Sequence, residues 1–276
     1  MSCEITLLAE NSVRRPGLLA EHGLAWWIEI CGKSVLFDTG QGMVIGHNAK
    51  KLGIKLERAD ALVLSHGHYD HTGGIGSLLS TNTSCPIWMH PASMEKKFSG
   101  TSPSEVRCIS TSLLHDEKLR SHTNRLRDAS FHSEVVPGLF LTGEIPRLNG
   151  FEDTGGQFFL DAGCSITDPL ADDIAVYFEN GDSIIVLLGC AHSGVMNTIS
   201  FIAKLTGKQI GVVMGGMHLE KASAERLSKT IEGLRGMGVR EIYPCHCTGH
   251  DASIALHNAL PSMVRQCSVG SKWVFA

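Results

Sequence analysis

The sequence predicts an α/β protein, and three observations predict it. Short apolar runs of strand length recur towards both ends of the chain, broken by Gly or charged turns. Longer stretches of helical period stand between many of them. The 276 residues, 43% hydrophobic and 19% charged, suffice for one large domain with a buried core.

The elements follow in order. "EITLLAE" (4–10), "AWWIEI" (25–30) and "SVLFDTG" (34–40) read as strands. "VIGHNAKKLGI" (44–54) reads as a helix that Gly53 stops. Then come a strand at 61–65, a His-rich turn, a helix at 74–81 and a strand at 85–90. Residues 92–170 are polar with weak periodicity and read as an insertion that covers the site, within a single domain spanning 1–276. Arg120, Arg125 and Arg127 in it are expected on a solvated helix face. The strong pattern returns with strands 173–179 and 182–192, joined by the hairpin signal Asn180-Gly181. A helix (193–207), a strand (209–216), a helix (222–238), a strand (240–246) and a last helix (251–260) complete two β-rich halves.

Composition narrows the function. The net charge is 24 − 28 = −4 with no basic run, which speaks against a nucleic-acid partner. No basic segment followed by an apolar one opens the chain, and no run of 18 or more apolar residues is present, so neither a secretory leader nor a membrane span is expected. Nine Cys without framework spacing read as reduced thiols of a cytoplasmic protein. The 14 His are the outlier.

"LVLSHGHYDHTGG" (62–74) gathers His66, His68, Asp70 and His71 after an apolar strand. Residues two apart on an extended or turning backbone can face one side, so His66 and His68 can grip one metal. Asp70 and His71 lie on the next stretch and suit a second metal close by. A metal normally takes three or four protein ligands, so distant partners are expected. His192, His218 and His246 each follow an apolar strand, where a parallel or mixed sheet presents residues to a crevice. A lone strand-end His is more often structural, but a solvated turn rarely assembles the HxHxDH spacing. His22, His47, His90, His115, His122, His132, His250 and His257 lack that context and read as surface or supporting residues, His90 being the first exception to consider.

This pattern resembles the metallo-β-lactamase superfamily over the whole chain. The resemblance implies an αββα sandwich of two mixed β-sheets flanked by helices, with metals at the sheet edges. It implies that Asp38 of "LFDTG" (36–40) lies under the metals. By position, His66, His68 and His192 would hold one metal and Asp70, His71 and His246 the other. Zn²⁺ is the expected ion, with Mn²⁺ or Fe as alternatives. The superfamily usually adds a bridging aspartate, yet residues 193–245 contain no Asp and His218 occupies its slot. A neutral imidazole has one free lone pair, so His218 is expected as a terminal ligand or a substrate partner rather than a bridge. "LTGEIPR" (141–147), "LGCAHSGVMNT" (188–198), "GGMHL" (215–219) and "PCHCTG" (244–249) resemble the branch named for 7,8-dihydropterin-6-methyl-4-(β-D-ribofuranosyl)aminobenzene 5′-phosphate synthase.

The resemblance implies a metal-dependent hydrolase or transferase. Its partner would be a small molecule carrying phosphate or diphosphate, with no membrane involved. An arylamine would displace diphosphate from a pterin methylene, or water would cleave a phosphoester. Asp70 is expected to orient the water in a hydrolase and His218 to act beside it. Arg147, after a Pro that fixes the turn, is a candidate phosphate ligand or else a solvated Arg. Glu144 is a candidate ligand or base, or else a turn cap. Cys245 and Cys247 are expected as packed thiols, on the strand side opposite His246. A flavodiiron-like redox protein would need a carboxylate-rich site and usually a flavin domain, and this chain offers neither. Retention of all six candidate ligands argues against a non-catalytic binding protein.

Overall fold

The computed structural model describes residues 2–82, 84–111, 113 and 122–276, and in it the apolar runs assemble into two mixed sheets. The first contains β1 (Cys3–Ala9), β2 (Ala25–Ile30), β3 (Lys33–Phe37), β4 (Ala61–Val63), β5 (Ile87–Met89), β8 (Leu126–Asp128) and β16 (Lys272–Phe275), in the order β16-β1-β2-β3-β4-β5-β8. The second contains β9 (Ser133–Val136), β10 (Leu139–Leu141), β12 (Ala175–Asn180), β13 (Ser183–Leu188), β14 (Gln209–Gly216) and β15 (Glu241–Cys245), in the order β15-β14-β13-β12-β10-β9. β3, β4, β5 and β8 pair in parallel, as do β13, β14 and β15.

Side-chain alternation explains the layering. On β13, Ile185 and Leu187 point into the core between the sheets, while Ile184, Val186 and Leu188 point to the outer layer. Both faces are buried, so the strand reads as a continuous apolar run. The outer face of the second sheet is covered by helices Val195–Thr206, Ala224–Gly236 and His250–Ala259, through residues such as Ile199, Leu234 and Leu256. Helices Ile45–Leu52 and Ile75–Leu79 cover the first sheet through Ile45, Ala49 and Leu78. Each fully buried Leu or Ile contributes ~1.5–3 kcal/mol. The result is the expected αββα sandwich. Among the described residues no helix is long and apolar enough to cross a membrane.

Most elements lie within a few residues of their expected bounds. Gly53 caps the first helix in a left-handed conformation, and Asn180-Gly181 joins β12 to β13, pairing Asn180 with Ser183. The stretch 92–170 departs from the expectation of one insertion. β8 completes the first sheet, and β9 and β10 complete the second. These short strands are partly exposed, so no apolar alternation announced them. The same stretch also holds a separate three-stranded sheet of β6 (Phe98–Ser99), β7 (Arg107–Cys108) and β11 (Phe158–Phe159), in the order β11-β6-β7, whose Ser99, Arg107 and Phe158 line a pocket. Arg125 is not solvated: it is buried, donating to the carbonyls of Cys85 at 2.8 Å and Asn82 at 3.2 Å. Arg127 is exposed, and Arg120 and His115 lie outside the described residues.

Candidate metal centre

β4 ends at Val63, and the chain turns sharply at its C-terminal end. Gly67 allows the turn, because a Cβ there would meet the Ser93 carbonyl at 2.5 Å. Its N–H donates to Asp172 Oδ2 at 2.7 Å. Asp172 also accepts from Lys97 Nζ at 2.9 Å, and Lys97 donates to Asp168 at 2.8 Å. This buried ion triad fixes the turn from behind. The short helix Tyr69–Thr72 then carries Asp70 and His71.

The structure brings His66, His68, Asp70, His71, His192 and His246 into one buried cluster. Nε2 of His66 lies 3.0 Å from Nδ1 of His68, and Nε2 of His71 lies 3.2 Å from Nε2 of His246. Asp70 Oδ2 is 3.4 Å from His246 Nε2. One nitrogen each of His66, His68 and His192 lie within 4.8 Å of one another.

Outer partners set the tautomers. His71 Nδ1 donates to Asp38 Oδ2 at 2.7 Å, and His192 Nδ1 donates to the Thr154 carbonyl at 2.8 Å. Asn11 Oδ1 stands 3.0 Å from His246 Nδ1. Each Nε2 is thereby left with its lone pair facing inward, the arrangement that ligating imidazoles take. Asp38 also accepts from Ser65 N and Ser65 Oγ, both at 2.7 Å, so it supports the cluster without entering it.

Electrostatics agree. Burial, with the neighbouring imidazoles, pushes His66 and His192 well below the usual imidazole range. Burial brings His68 down to about 3. Burial also depresses His71, but the Asp38 carboxylate outweighs it and holds His71 above its ordinary value. Burial opposes ionisation of Asp70, yet the neighbouring His22, His246 and His71 rings hold its carboxyl well below the usual range. Neutral His66, His68 and His192 beside an ionised Asp70 are a cation-binding donor set. Among the described residues, Nε2 of His192 and Nε2 of His68 are buried without a hydrogen-bond partner. The residues present therefore fit a bound divalent metal.

A second group adjoins the first. Cys190 Sγ lies 3.1 Å from His71 Nε2, and ligand atoms of Cys190, His218 and Cys247 lie within 4.8 Å of one another. Cys245 packs in the core between the sheets as expected, but Cys247 does not behave as a strand residue. β15 ends at Cys245, and the 3₁₀ turn His246–Thr248 swings Cys247 into the pocket. The His218 ring is tilted beside that of His192, with centroids 4.3 Å apart, and its Nδ1 is buried without a hydrogen-bond partner among the described residues.

A pocket of about 630 Å³ opens onto this floor. His68, Asp70, Cys190, His218 and Cys247 line its base, Phe158 and Tyr69 its side, and Arg107, Gln157 and Lys221 its wall. Arg107 and Lys221 are exposed cations. The roof strands supply Ser99, Arg107 and Phe158.

Two expected site residues stand elsewhere. Arg147 donates through Nη1 to the His192 carbonyl and through Nη2 to the Pro169 carbonyl, both at 2.7 Å. Its guanidinium braces the His192 backbone and does not line the pocket. Glu144 is 60% exposed and accepts from His90 Nε2 at 3.0 Å, away from the cluster. His22, expected as a surface or supporting residue, places its Nε2 3.1 Å from Asp70. It precedes a strand instead of following one, so strand-end logic misses it. Its neighbour Gly23 carries the signal, since a Cβ there would meet the Asp70 carbonyl at 2.7 Å. Arg107 sits on a two-residue strand that has no readable period.

Comparison with known proteins gives a consistent placement. The sequence pattern of the metallo-beta-lactamase superfamily matches residues 19–161. The chain is 34% identical over 248 residues to the 7,8-dihydropterin-6-methyl-4-(β-D-ribofuranosyl)aminobenzene 5′-phosphate synthase of Methanocaldococcus jannaschii, covering 84% of this chain and 83% of that protein. Among solved structures, Tm1679, described as a metal-dependent hydrolase of the beta-lactamase superfamily, superposes with a TM-score of 0.82 at 27% identity, covering 98% of each chain. A diphosphatase of the PhnP family shares the fold with a TM-score of 0.56 at 14% identity, covering 100% of this chain and 98% of that one.

Proposed function

Because the chain belongs to the metallo-β-lactamase superfamily, in the branch of the dihydropterin–ribofuranosylaminobenzene phosphate synthase, we propose that it is a metal-dependent enzyme acting on a small molecule that carries phosphate or diphosphate. The observation that carries this reading is the pocket, which sets a buried His/Asp floor beneath a wall bearing Arg107 and Lys221. His66, His68 and His192 would hold one metal, and Asp70, His71 and His246 a second. Zn²⁺ suits the imidazole-rich donors best, with Mn²⁺ or Fe as alternatives. When bound, the metals supply Lewis acidity that polarises a phosphoryl oxygen and neutralises charge on the leaving group.

The chain's own groups do the rest. Arg107 and Lys221 attract and orient the phosphate. Phe158 offers an apolar face to the ring portion of the substrate. The roof of β6, β7 and β11 limits the access of water. Arg147 acts as a positioning residue through the His192 carbonyl. His218 faces the substrate from the pocket base. In the transfer reading, an arylamine nitrogen attacks a pterin methylene carbon, the C–O bond to diphosphate breaks with its electron pair leaving on oxygen, and the amine loses a proton. All nine cysteines are free thiols, which suits a cytoplasmic location.

A second reading is phosphoester hydrolysis, in which Asp70 orients the attacking water. The likeness to Tm1679, described as a metal-dependent hydrolase, favours it. The test incubates the zinc-loaded protein with a dihydropterin methyl diphosphate and β-ribofuranosylaminobenzene 5′-phosphate. A coupled product supports transfer, and diphosphate release without coupling supports hydrolysis. No turnover of these compounds or of bis(p-nitrophenyl) phosphate would count against the reading.

A further inference from the structure

We propose that Cys190, His218 and Cys247 form a sulfur-rich metal position of their own, taking a zinc-class divalent ion beside the imidazole-lined cluster. The proposal stands on these residues and does not depend on the reaction assigned above.

The topology makes the juxtaposition. β13, β14 and β15 are consecutive parallel neighbours, ending at Leu188, Gly216 and Cys245. Cys190, His218 and Cys247 each stand two residues past those ends. The registers bring the ends level, since Leu188 pairs with Gly215 and Gly216 with Cys245. Three adjacent strands thus deliver one donor each to the same edge, and the three ligand atoms lie within 4.8 Å of one another. Donors of one tetrahedral zinc ion are roughly 3.3–3.8 Å apart, given bonds of about 2.0–2.3 Å, so small side-chain adjustments suffice.

The backbone around the group is shaped for it. A Cβ on Gly216 would meet Cys247 Sγ at 2.6 Å, and one on Gly155 would meet His218 Cδ2 at 2.0 Å. Only hydrogen fits at either place. Ala191, His218 and His246 adopt left-handed backbone, with φ of 53°, 45° and 51°. Such conformations in non-glycine residues persist where a site requires them. His218 Nδ1 is buried with no hydrogen-bond partner among the described residues.

The chemistry is that of a Cys₂His zinc site with three protein ligands and an open position. All three residues line the pocket, so the open position would face the substrate. Thiolates select zinc-class ions over Mg²⁺ or Mn²⁺. Two thiolates also supply the negative charge that a bridging carboxylate would bring, and residues 193–245 contain no Asp. Cys190 lies 3.1 Å from His71 Nε2, so the position adjoins the imidazole cluster directly.

Cobalt substitution tests the proposal. The Co²⁺-loaded wild type should show a near-ultraviolet thiolate-to-cobalt charge-transfer band. Cys190→Ser/Cys247→Ser should lose that band and about one equivalent of metal, while His68→Ala should keep the band. A cobalt-loaded wild type without the band, a band that survives the double substitution, or its loss in His68→Ala would overturn the proposal. X-ray absorption of the wild-type zinc protein decides the matter if the variants do not fold. Sulfur neighbours at about 2.3 Å are expected, and a shell of nitrogen and oxygen alone would overturn it.

Discussion

His71 Nε2 stands 3.2 Å from His246 Nε2, although 175 residues separate the two in the chain. His71 rides on the turn beyond β4 of the first sheet, and His246 follows β15 of the second. Their contact is made where the two sheets meet at one end of the sandwich. Each ring is held by a residue from a third place: Asp38 on His71, and Asn11 on His246.

The Asp38 contact gives the first prediction. Asp38→Asn keeps the size of the side chain but removes the charge that fixes the His71 tautomer. Metal affinity at the second position should fall about 10–100-fold, as for other supporting carboxylates. Competition with a chelator measures this, and wild-type affinity would show that Asp38 plays no such part.

Arg107 and Arg147 should behave differently. Arg107→Ala should weaken binding of inorganic phosphate to the metal-loaded protein by ~1.5–3 kcal/mol if its guanidinium makes a charge-assisted hydrogen bond. Arg147→Ala should chiefly lower metal retention, because it releases the His192 backbone. Calorimetric titration of both variants separates the roles, and a larger phosphate loss in Arg147→Ala would reverse them.

The buried triad of Lys97, Asp168 and Asp172 should be critical to folding. Lys97→Met leaves two carboxylates without a cation and should cost ~3–5 kcal/mol. Urea unfolding reads the change. A loss below ~1 kcal/mol would mean that the triad does not hold the Gly67 turn.

How far the sequence could be read follows from these examples. His66, His68, Asp70 and His71 were legible because one turn states its own spacing. His192 and His246 were legible because each follows a strand with an apolar signal, β13 buried along its whole length and β15 in part. Lys97 and Arg125 were not, since a buried cation in a polar stretch looks like a solvated one until its partners are placed. β8, β9 and β16 were missed because short, partly exposed edge strands have little apolar period. Cys247 was misread because strand alternation was extended past the strand's true end at Cys245.

Asp173 predicts a pH dependence. Burial raises its carboxyl from 3.8 to about 6, against the lowering effect of hydrogen bonds from Ser193. The folded value lies above the unfolded one, so folding favours the protonated form. That contribution is complete below about pH 4 and is lost as pH rises through about 6. Asp173→Asn removes the buried charge. In chelator-treated protein it should gain ~2–3 kcal/mol over wild type between pH 4 and pH 8. A pH-independent difference in unfolding free energy would exclude this account.

Elemental analysis of purified wild type and of His66→Ala, each after dialysis against Zn²⁺, tests the central claim most directly. The account predicts bound metal in the wild type and a loss of about one equivalent in the variant, with turnover of bis(p-nitrophenyl) phosphate falling alongside. Absence of metal from the wild type, or equal metal in both proteins, would contradict it.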